Sequence, residues 1–452
     1  MKKLIGFFIV SMLLAITISA HAEENRYIVS YKNPAVLAEN DSDAPFDVVD
    51  EETLNKLIDE DALEWYEEDM EAELFETEDI SPLAYTYDTD KWELNFVGAS
   101  SAYKLNSDGQ GITIGIIDSG IAPHEALSDR IIGGRNYIDN NDNYTDTYGH
   151  GTMVAGMAAG ASSENGFMGI APKAKLAALK CFSEKSSSAS YIARAIYGAV
   201  NDFHCDIINM SFGLKTESAA IKKAIEYAAE NGVIMTAAAG NYGETYPIYP
   251  AYYDSVICVG SVNSSGIIAS TSQHNSSTWI AAPGVSIKST NMNGGFSKNS
   301  GTSFASPMAA GTAAVLKSMD NTLTIDDIKE ILADSAVDAG ADGYDEYYGY
   351  GILNISNCVE NVLKDRGIYI SPFDEIDENM YAIVYNNTDM AVNSTVLSAE
   401  FEGGRFSGIK HFEFEAEPKA SIVFGTETKN EENEKKYFIW EENNIKPLSN
   451  IR

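Results

Sequence analysis

The sequence predicts an α/β domain built on a doubly wound, largely parallel sheet with helices on both faces, preceded by a small α+β segment and followed by a β-sandwich. Between about Trp92 and Asn361, short continuous apolar runs alternate with helical patterns. Apolar runs of this kind suit strands buried on both faces, and their alternation with helices predicts parallel pairing. The runs are ITIGIID (Ile112 to Asp118), KLAALKCF (Lys175 to Phe182), CDIINMSF (Cys205 to Phe212), VIMTAAAG (Val233 to Gly240) and SVICVGSV (Ser255 to Val262), and the helical patterns include Ser190 to Phe203 and Glu217 to Asn231.

The N-terminus reads MKKLIGFFIVSMLLAITISAHAEEN and has the order of a signal peptide. Lys2 and Lys3 precede an apolar run that ends near Ile18, and Ala20 and Ala22 are small residues beside an expected cut before Glu23. The alternative is a transmembrane anchor, but the run is short and a cleavage site follows it. We therefore expect residues 1–22 to be removed and the protein to be secreted, extracellular and free of membrane.

Residues 23–87 differ in composition from the rest of the chain. RYIVSYK, from Arg26 to Lys32, predicts a strand, and the stretch from Asp43 to Asp79 is dense in carboxylates. The acidic stretch could be a solvated linker. However, LNKLIDEDALEWYEED from Leu54 has apolar residues at helical spacing, which favours a small folded segment.

Residues 367–452 alternate apolar and polar side chains between Asn, Gly and Asp turns, as in YAIVYNNT, HFEFEAE and KYFIWEE. This pattern predicts a small β-sandwich.

Composition excludes some classes of partner. The chain has 452 residues, 44% of them hydrophobic, and a formal net charge of −36, which argues against nucleic acid or an anionic membrane as a partner. The four cysteines lie among apolar neighbours without metal-like spacing, so we expect buried free thiols, although disulfides remain open for an exported protein. They are Cys181, Cys205, Cys258 and Cys358.

Three reactive residues lie where predicted strands end or helices begin, which is where sites gather in an open α/β sheet. Asp118 closes a strand, His150 stands between two glycines at a helix start, and Ser303 lies in SGTSFASP at the head of a small-residue helix. A serine hydroxyl becomes a good nucleophile when an imidazole accepts its proton, and a carboxylate fixes the imidazole tautomer. Taken singly, each residue could be a cap or a loop residue. If Ser303 lies near the N-cap, Pro307 falls at the end of the turn that tolerates proline.

The motifs IIDSGI, GHGTMVAG, SFG, AAAGN and GTSFASP, in that order, resemble the subtilisin-like serine proteases, or subtilases. The resemblance runs from about Trp92 to Val362. It implies that Asp118 orients the imidazole, that His150 is the general base and then the acid, that Ser303 is the nucleophile, and that Asn241 is a side-chain donor to the oxyanion. It also implies a substrate-binding segment and pocket formed by Ser211, Phe212, Gly213, Ala238 and Gly240.

The resemblance further implies a domain order: a signal peptide at 1–22, a propeptide at 23–87, a peptidase domain at 88–366 and the C-terminal sandwich at 367–452. The propeptide would assist folding, occupy the cleft and be removed between about Ser81 and Lys91. The expected partners are protein or peptide substrates and the protein's own propeptide, and we expect a monomer.

No cofactor is expected for the chemistry. The loop from Ala161 to Phe167 occupies the position that binds calcium in many relatives, but it has Ser162 and Ser163 where amide ligands are usual, and Ala126 replaces a frequent aspartate. We therefore predict no metal ligands there, although carboxylates elsewhere could hold a weaker structural calcium. Met153 and Met308 also depart from the family pattern, at positions outside the triad.

Two other functions remain open at this point. The chain could be a non-catalytic binding protein on a protease-like scaffold, or a processing enzyme for one peptide rather than a broad protease. The residues do not give the preference of the substrate pocket.

Overall fold

The structure is a computed structural model of the chain. It describes residues 25–39, 44–75, 77–82, 92–103, 107–162 and 166–363, and after them the strands between 368 and 451; for 77–82 and the strands from 368 onward it describes the backbone only. The predicted signal peptide, residues 1–22, lies outside the described residues. In the described part, no helix combines the length and the apolar character needed to cross a bilayer.

The N-terminal segment folds as a three-stranded antiparallel sheet with one α-helix. Its elements are β1 (Arg26–Tyr31), a short 3₁₀ helix (Pro34–Glu39), β2 (Asp47–Asp50), α1 (Glu51–Asp59) and β3 (Leu63–Glu68), with strand order β2-β1-β3. Asp50 caps α1 by accepting a hydrogen bond from the Thr53 backbone at 2.7 Å. The predicted folded segment is therefore present, as helix and sheet.

The helical spacing of apolar residues that starts at Leu54 corresponds to a helix only in the first half of that stretch. The helix α1 ends at Asp59, Asp61 adopts a left-handed φ of 52°, and the chain continues as the strand β3. Side chains in β3 alternate between half-buried and exposed, beginning with Leu63 and Glu64. The strand forms because this period of two fits an edge beside β1, and tertiary pairing overrides the helical spacing.

Two further strands lead away from this sheet, β4 (Glu71–Leu74) and β5 (Thr77–Pro82). Each pairs with strands of the following domain rather than with its own neighbours.

The second domain is built on a seven-stranded sheet in which every pairing is parallel. Its order is β16-β15-β14-β12-β6-β10-β7. The strands of this domain are β6 (Thr113–Asp118), β7 (Ile131–Asn136), β8 (Ala161–Ser162), β9 (Phe167–Met168), β10 (Lys175–Lys180), β11 (Ser186–Ser188), β12 (Ile207–Met210), β13 (Phe212–Gly213), β14 (Ile234–Ala238), β15 (Ile257–Val262), β16 (Thr278–Pro283), β17 (Ile287–Thr290) and β18 (Phe296–Ser300). The predicted doubly wound parallel sheet is confirmed.

Helices cover both faces of this sheet. They are α2 (Trp92–Phe96), α3 (Ser100–Tyr103), α4 (His150–Ala159), α5 (Ala189–Asn201), α6 (Ala219–Glu230), α7 (Thr302–Met319), α8 (Ile325–Ser335) and α9 (Ile355–Leu363). Successive residues of one strand face opposite layers: Ile207 packs in the apolar core with α4 and α7, whereas Ile208 packs in the core with α5 and α6.

After residue 367 the chain forms two antiparallel sheets. One contains β19 (Ile368–Ile370), β20 (Asp374–Ile376), β21 (Asn379–Asn386) and β24 (Ser421–Thr426), and the other contains β22 (Val392–Glu402), β23 (Arg405–Ala416), β25 (Asn433–Glu441) and β26 (Asn444–Ile451). The strand content agrees with the alternating pattern, and the packing of the sheets as a sandwich stays a prediction.

Candidate active site

Asp118 and His150 meet at the carboxyl end of the central sheet. Asp118 is the last residue of β6, and His150 is the first residue of α4. Nδ1 of His150 lies 2.8 Å from Oδ1 and 2.9 Å from Oδ2 of Asp118, and both side chains are fully buried. Because a carboxylate can only accept, this contact places the imidazole proton on Nδ1 and directs Nε2 away from Asp118.

Gly151 allows this close approach of α4 to β6. A Cβ at Gly151 would lie 2.2 Å from the Gly120 carbonyl oxygen and 3.1 Å from the Asp118 carboxylate. Only glycine fits such a contact with backbone, so the glycine after His150 is a packing requirement of the pair.

A buried carboxylate, Asp146, joins the two elements that carry the pair. It accepts hydrogen bonds from Ser119 Oγ at 2.9 Å, from the Gly149 backbone at 2.8 Å, and from the backbone and hydroxyl of Thr152 at 2.9 and 2.6 Å. Ser119 follows Asp118 in the chain, and Thr152 lies in the first turn of α4. Asp146 therefore fixes the start of the helix relative to the end of the strand, a role that the sequence patterns do not reveal.

Burial shifts the pKa values of two groups near the pair, the Lys180 amine and the Cys181 thiol. Lys180 donates to the Ser119 carbonyl at 2.7 Å, and burial lowers the pKa of its amine, while the charge of Asp146 opposes that shift. Burial, and then the charge of Asp118, raises the pKa of the Cys181 thiol well above its ordinary value. Cys181 is therefore a protonated, inert side chain and not a second nucleophile.

Ser303 is the second residue of α7, and the residue after it packs near the imidazole of His150. The ring centroids of His150 and Phe304, the residue after Ser303, are 6.0 Å apart. The hydroxyl of Ser303 donates to the Phe75 carbonyl oxygen at 2.5 Å and lies 3.2 Å from the Ser211 carbonyl oxygen. Ser303 is fully buried, and the Phe75 carbonyl of the N-terminal segment lies against its hydroxyl.

Pro307 is further into α7 than the sequence suggested. The N-cap of the helix is Gly301, so Pro307 is its sixth residue and lies beyond the turn in which a proline is tolerated. The carbonyl that a backbone N–H at 307 would have bonded is that of Ser303, and the hydroxyl of Ser211 donates to it instead, at 3.1 Å. A side chain thus satisfies the carbonyl that proline leaves without its helical donor.

Asn241 lies directly beside the start of α7. Its Oδ1 accepts hydrogen bonds from the Thr302 backbone at 3.0 Å and from the Thr302 hydroxyl at 2.9 Å. Its Nδ2 is buried and has no hydrogen-bond partner among the described residues. A Cβ at Gly301 would lie 2.7 Å from this Nδ2 and 3.3 Å from the Phe75 carbonyl oxygen, so the amide donor and that oxygen border one small space.

The predicted substrate-binding residues surround a strand of the protein itself. β4 lies between β11 and β13 and pairs antiparallel with both, Phe212 opposite Leu74 and Gly213 opposite Glu73. The Ser211 carbonyl accepts the Phe75 backbone N–H at 3.4 Å. Ala238 and Ile248 pack with the Phe75 side chain, and a Cβ at Gly240, which has φ of 113°, would lie 3.3 Å from Ile248.

The sequence did not predict that Glu71–Phe75 would lie in this cleft, because EAELF carries no signal of its own.

No group of three or more His, Cys, Asp or Glu side chains suited to a metal occurs among the described residues. Residues 163–165, in the loop that corresponds to the calcium site of many relatives, lie outside that set. All four cysteines are buried and free, as expected.

The model of the subtilase family of peptidases matches residues 109–351 of the chain. This range contains Asp118, His150, Asn241 and Ser303, and it is more than half of the chain. The chain belongs to the subtilase family. The subtilase family comprises serine peptidases of the subtilisin type.

The names of curated relatives, which are proteases and subtilisins, agree with the family assignment. Minor extracellular protease Epr of Bacillus subtilis (strain 168) is 33% identical over 356 residues, which cover 74% of this subtilase and 55% of Epr. Subtilisin DY of Bacillus licheniformis is 38% identical over 56% of this chain and 92% of its own. The thermostable alkaline protease of Halalkalibacterium halodurans is 34% identical, with 60% and 73% covered. This subtilase thus spans little more than half the length of Epr.

Proposed function

We propose that the protein is a secreted serine endopeptidase, made as a zymogen, in which Asp118, His150 and Ser303 form the catalytic triad. The observation that carries the assignment is the buried pair of Asp118 and His150 near the first turn of α7, in which the Ser303 hydroxyl contacts a peptide carbonyl at 2.5 Å. Acyl transfer requires a peptide carbonyl close to a serine that an imidazole can deprotonate, and the Phe75 carbonyl meets the first of these conditions.

Each residue has one task in this mechanism. His150 accepts the Ser303 proton through Nε2 while the hydroxyl attacks the peptide carbonyl, and Asp118 stabilises the imidazolium. The same proton then passes to the leaving amine, and water hydrolyses the acyl-enzyme. Asn241 Nδ2 and the Ser303 backbone N–H at the helix start stabilise the negative oxygen. No metal or cofactor takes part in these steps.

The position of the N-terminal segment supports the zymogen. Its Phe75 carbonyl accepts a hydrogen bond from the buried Ser303 hydroxyl, and Glu67 caps α6 by accepting bonds from Ser218 Oγ at 2.8 Å and from the backbones of Ala219 and Ala220 at 2.7 and 2.9 Å. A segment bound in this way blocks the cleft until it is removed. Residues 1–22 would direct export before that step, 23–87 would form the propeptide, and the mature enzyme would act as a monomer.

Labelling with a fluorophosphonate tests the triad. We expect the processed protein to be labelled at Ser303 and to degrade unfolded casein, and Ser303→Ala to lose both properties, with a rate loss of about a millionfold. Ser318→Ala, on the same helix but half-exposed and far from the pair, should keep both. Labelling that persists in Ser303→Ala would exclude this serine as the nucleophile, and a labelled protein inactive on casein would favour a processing enzyme for one peptide.

The activity should also depend on the protonation of His150. Because the imidazole must be neutral to accept a proton, kcat/KM should fall as the pH drops through the imidazole range. The measurement is a pH profile on one peptide. A rate that is flat from mildly acid to alkaline pH would contradict this role.

A further inference from the structure

Lys180 is a buried amine on the strand next to the one that ends with Asp118. It is the last residue of β10, which pairs in parallel with β6, and in that register it stands opposite Asp118. Only 4% of Lys180 is exposed. Lysine is seldom buried to this degree, because its charge loses contact with water. The position therefore calls for an explanation beyond the packing of the strand.

The amine of Lys180 binds the two loops that hold the candidate catalytic pair in place. Its Nζ lies 2.7 Å from the Ser119 carbonyl oxygen, 3.1 Å from the Thr145 carbonyl oxygen and 3.3 Å from Thr147 Oγ1. An ammonium has three donors, so these bonds use all of them. The first acceptor follows Asp118 directly, and the other two lie in the loop that leads into α4. Lys180 therefore links the end of β6 to the start of α4.

All three acceptors are uncharged, which distinguishes Lys180 from a member of a buried ion pair. Among the described residues, no carboxylate oxygen lies at ion-pair distance from its Nζ. A neutral side chain at this place would avoid the cost of burying a charge. The charge itself is therefore the feature that needs a function.

The groups that face Lys180 from the neighbouring elements are acidic. Burial lowers the pKa of its amine, and the charges of Asp146 in the loop before α4, of Asp139 after β7 and of Asp118 on β6 oppose that shift. On its own strand, burial raises the pKa of the Cys181 thiol well above its ordinary value. This thiol carries no charge at neutral pH, so the three carboxylates balance the ammonium from a distance.

The sign of the effect on His150 follows from these charges. The carboxylates of Asp118 and Asp146 favour a protonated imidazole, because opposite charges attract. The Lys180 ammonium has the opposite effect, since it repels an imidazolium. His150 must be neutral to accept the Ser303 proton, so a cation at this place keeps the base available at lower pH.

We propose that Lys180 is a positioning residue of this active site, whose charge extends the activity of the enzyme to lower pH. This inference rests on the proposed triad. Lys180 acts through Asp118 and His150 and not by contact with the substrate. Its hydrogen bonds hold the end of β6 against the loop before α4, and its charge disfavours protonation of the imidazole.

Kinetics of Lys180→Met test the charge. Methionine keeps an unbranched apolar stem and removes the ammonium. The midpoint of the acid limb of kcat/KM should rise by about 0.5 to 1 pH unit, the effect of one charge across a few residues of packed protein, which lowers kcat/KM about 3- to 10-fold on the acid side. Lys175→Met removes an exposed charge at the other end of β10 and is the matched control, for which the midpoint should not move.

Lys180→Arg separates charge from shape. Arginine stays charged at every pH of the profile, so the midpoint should keep its wild-type value even where the larger group lowers kcat. A lysine with a structural role alone would lower kcat in both variants without moving the midpoint. A midpoint that stays in place in Lys180→Met, or that moves equally in Lys180→Met and Lys180→Arg, would overturn the inference.

All variants are compared in the processed form, and N-terminal sequencing establishes that they are cut at the same place. The cut predicted between Ser81 and Lys91 lies mostly outside the described residues. Wild-type protein that no fluorophosphonate labels would reject the proposed function. A labelled and active wild type, together with an unmoved midpoint in Lys180→Met, rejects this inference alone.

A measurement on the full chain with Ser303→Ala keeps the test valid if Lys180→Met does not fold. With carbon-13 at the lysine Cε positions, the chemical shift of each Cε reports whether its amine is charged, and Lys180→Arg identifies the signal. We expect the Lys180 amine to be charged throughout the pH range in which His150 titrates. An amine that is neutral in that range would exclude the effect.

Discussion

Asn241 uses its two amide atoms for different purposes. Oδ1 binds the backbone and hydroxyl of Thr302, which fixes the side chain, and the buried Nδ2 is left directed at the space beside the Phe75 carbonyl oxygen. A buried donor without a partner is costly in the resting protein. It becomes favourable when the carbonyl oxygen acquires negative charge.

Asn241→Ala should therefore lower kcat by about 100- to 1,000-fold with little change in KM, as for other serine-protease donors of this type. Steady-state kinetics on one peptide measures the split. Thr302→Ser keeps the hydroxyl that bonds Oδ1 and is the control, for which kcat should change little. A loss that appeared mainly in KM would contradict a transition-state role.

At the scale of single residues, the sequence predicted where the candidate reactive groups stand in the fold but not the residues that support them; their catalytic roles stay predictions. Asp118, His150, Ser303 and Asn241 stand at strand ends and helix starts, and their types follow from the chemistry. Asp146 gave no signal, because a carboxylate in a polar loop resembles a surface residue until the fold buries it.

At the scale of elements, Asp146 joins β6 to α4. Asp146→Asn replaces one accepting oxygen by a donor that faces the N–H and O–H groups of Thr152 or Gly149. We expect the unfolding free energy to fall by about 1–3 kcal/mol and kcat to fall as His150 loses its fixed position. Thermal unfolding of the variant in a Ser303→Ala background measures the first, and peptide kinetics the second.

Asp142→Asn, with the same change of charge on the exposed part of that loop, should alter neither quantity. Equal effects of the two substitutions would indicate a response to charge alone and would reject the buried network as the cause.

Glu67 links β3 of the N-terminal segment to the first turn of α6. Glu67→Gln weakens three hydrogen bonds to that turn and removes a favourable charge at its positive end, with an expected cost of about 0.5–2 kcal/mol. In a Ser303→Ala background, hydrogen exchange at Ala219 and Ala220 should become faster. Glu68→Gln, the exposed neighbour, is the control, and equal protection in both variants would contradict the capping role.

Elements buried on both sides were predictable, and edge elements were not. The central strands and the helices α5 and α6 have continuous apolar runs or clear helical periods. The edge strand β7 contains Gly133, Gly134 and Arg135 and is only partly buried, so IIGGRN does not have the pattern of a core strand. β4 is four residues long and acidic, and its strand form comes from β11 and β13 on either side.

At the scale of the whole molecule, buried thiols couple stability to pH. Burial raises the pKa of Cys258 and of Cys358 to about 12 from an ordinary value of 9.0. Below about pH 9 both thiols are protonated in the folded and unfolded states. Between about 9 and 12 only the unfolded chain releases these protons, so stability falls as the pH rises through that window.

The midpoint temperature of unfolding should therefore decrease above pH 9. In this window each thiol should lower the free energy of unfolding by about 1.4 kcal/mol per pH unit. Cys258→Ala should reduce this slope, which thermal scans at several pH values would measure. Thiol reagents at pH 8 should label none of the four cysteines in the native protein and all four in guanidinium. Rapid labelling of the native protein would contradict the burial.

Cutting the chain that passes over Ser303 would turn an intramolecular contact into an intermolecular one. While the chain between β4 and the second domain is intact, β4 and the cleft belong to one molecule, so no dilution can separate them. After cleavage the same main-chain contacts join two separate chains, and occupancy of the cleft follows mass action. A concentrated preparation would then be inhibited by its own released fragment. Full activity would appear only after dilution or after the fragment is degraded.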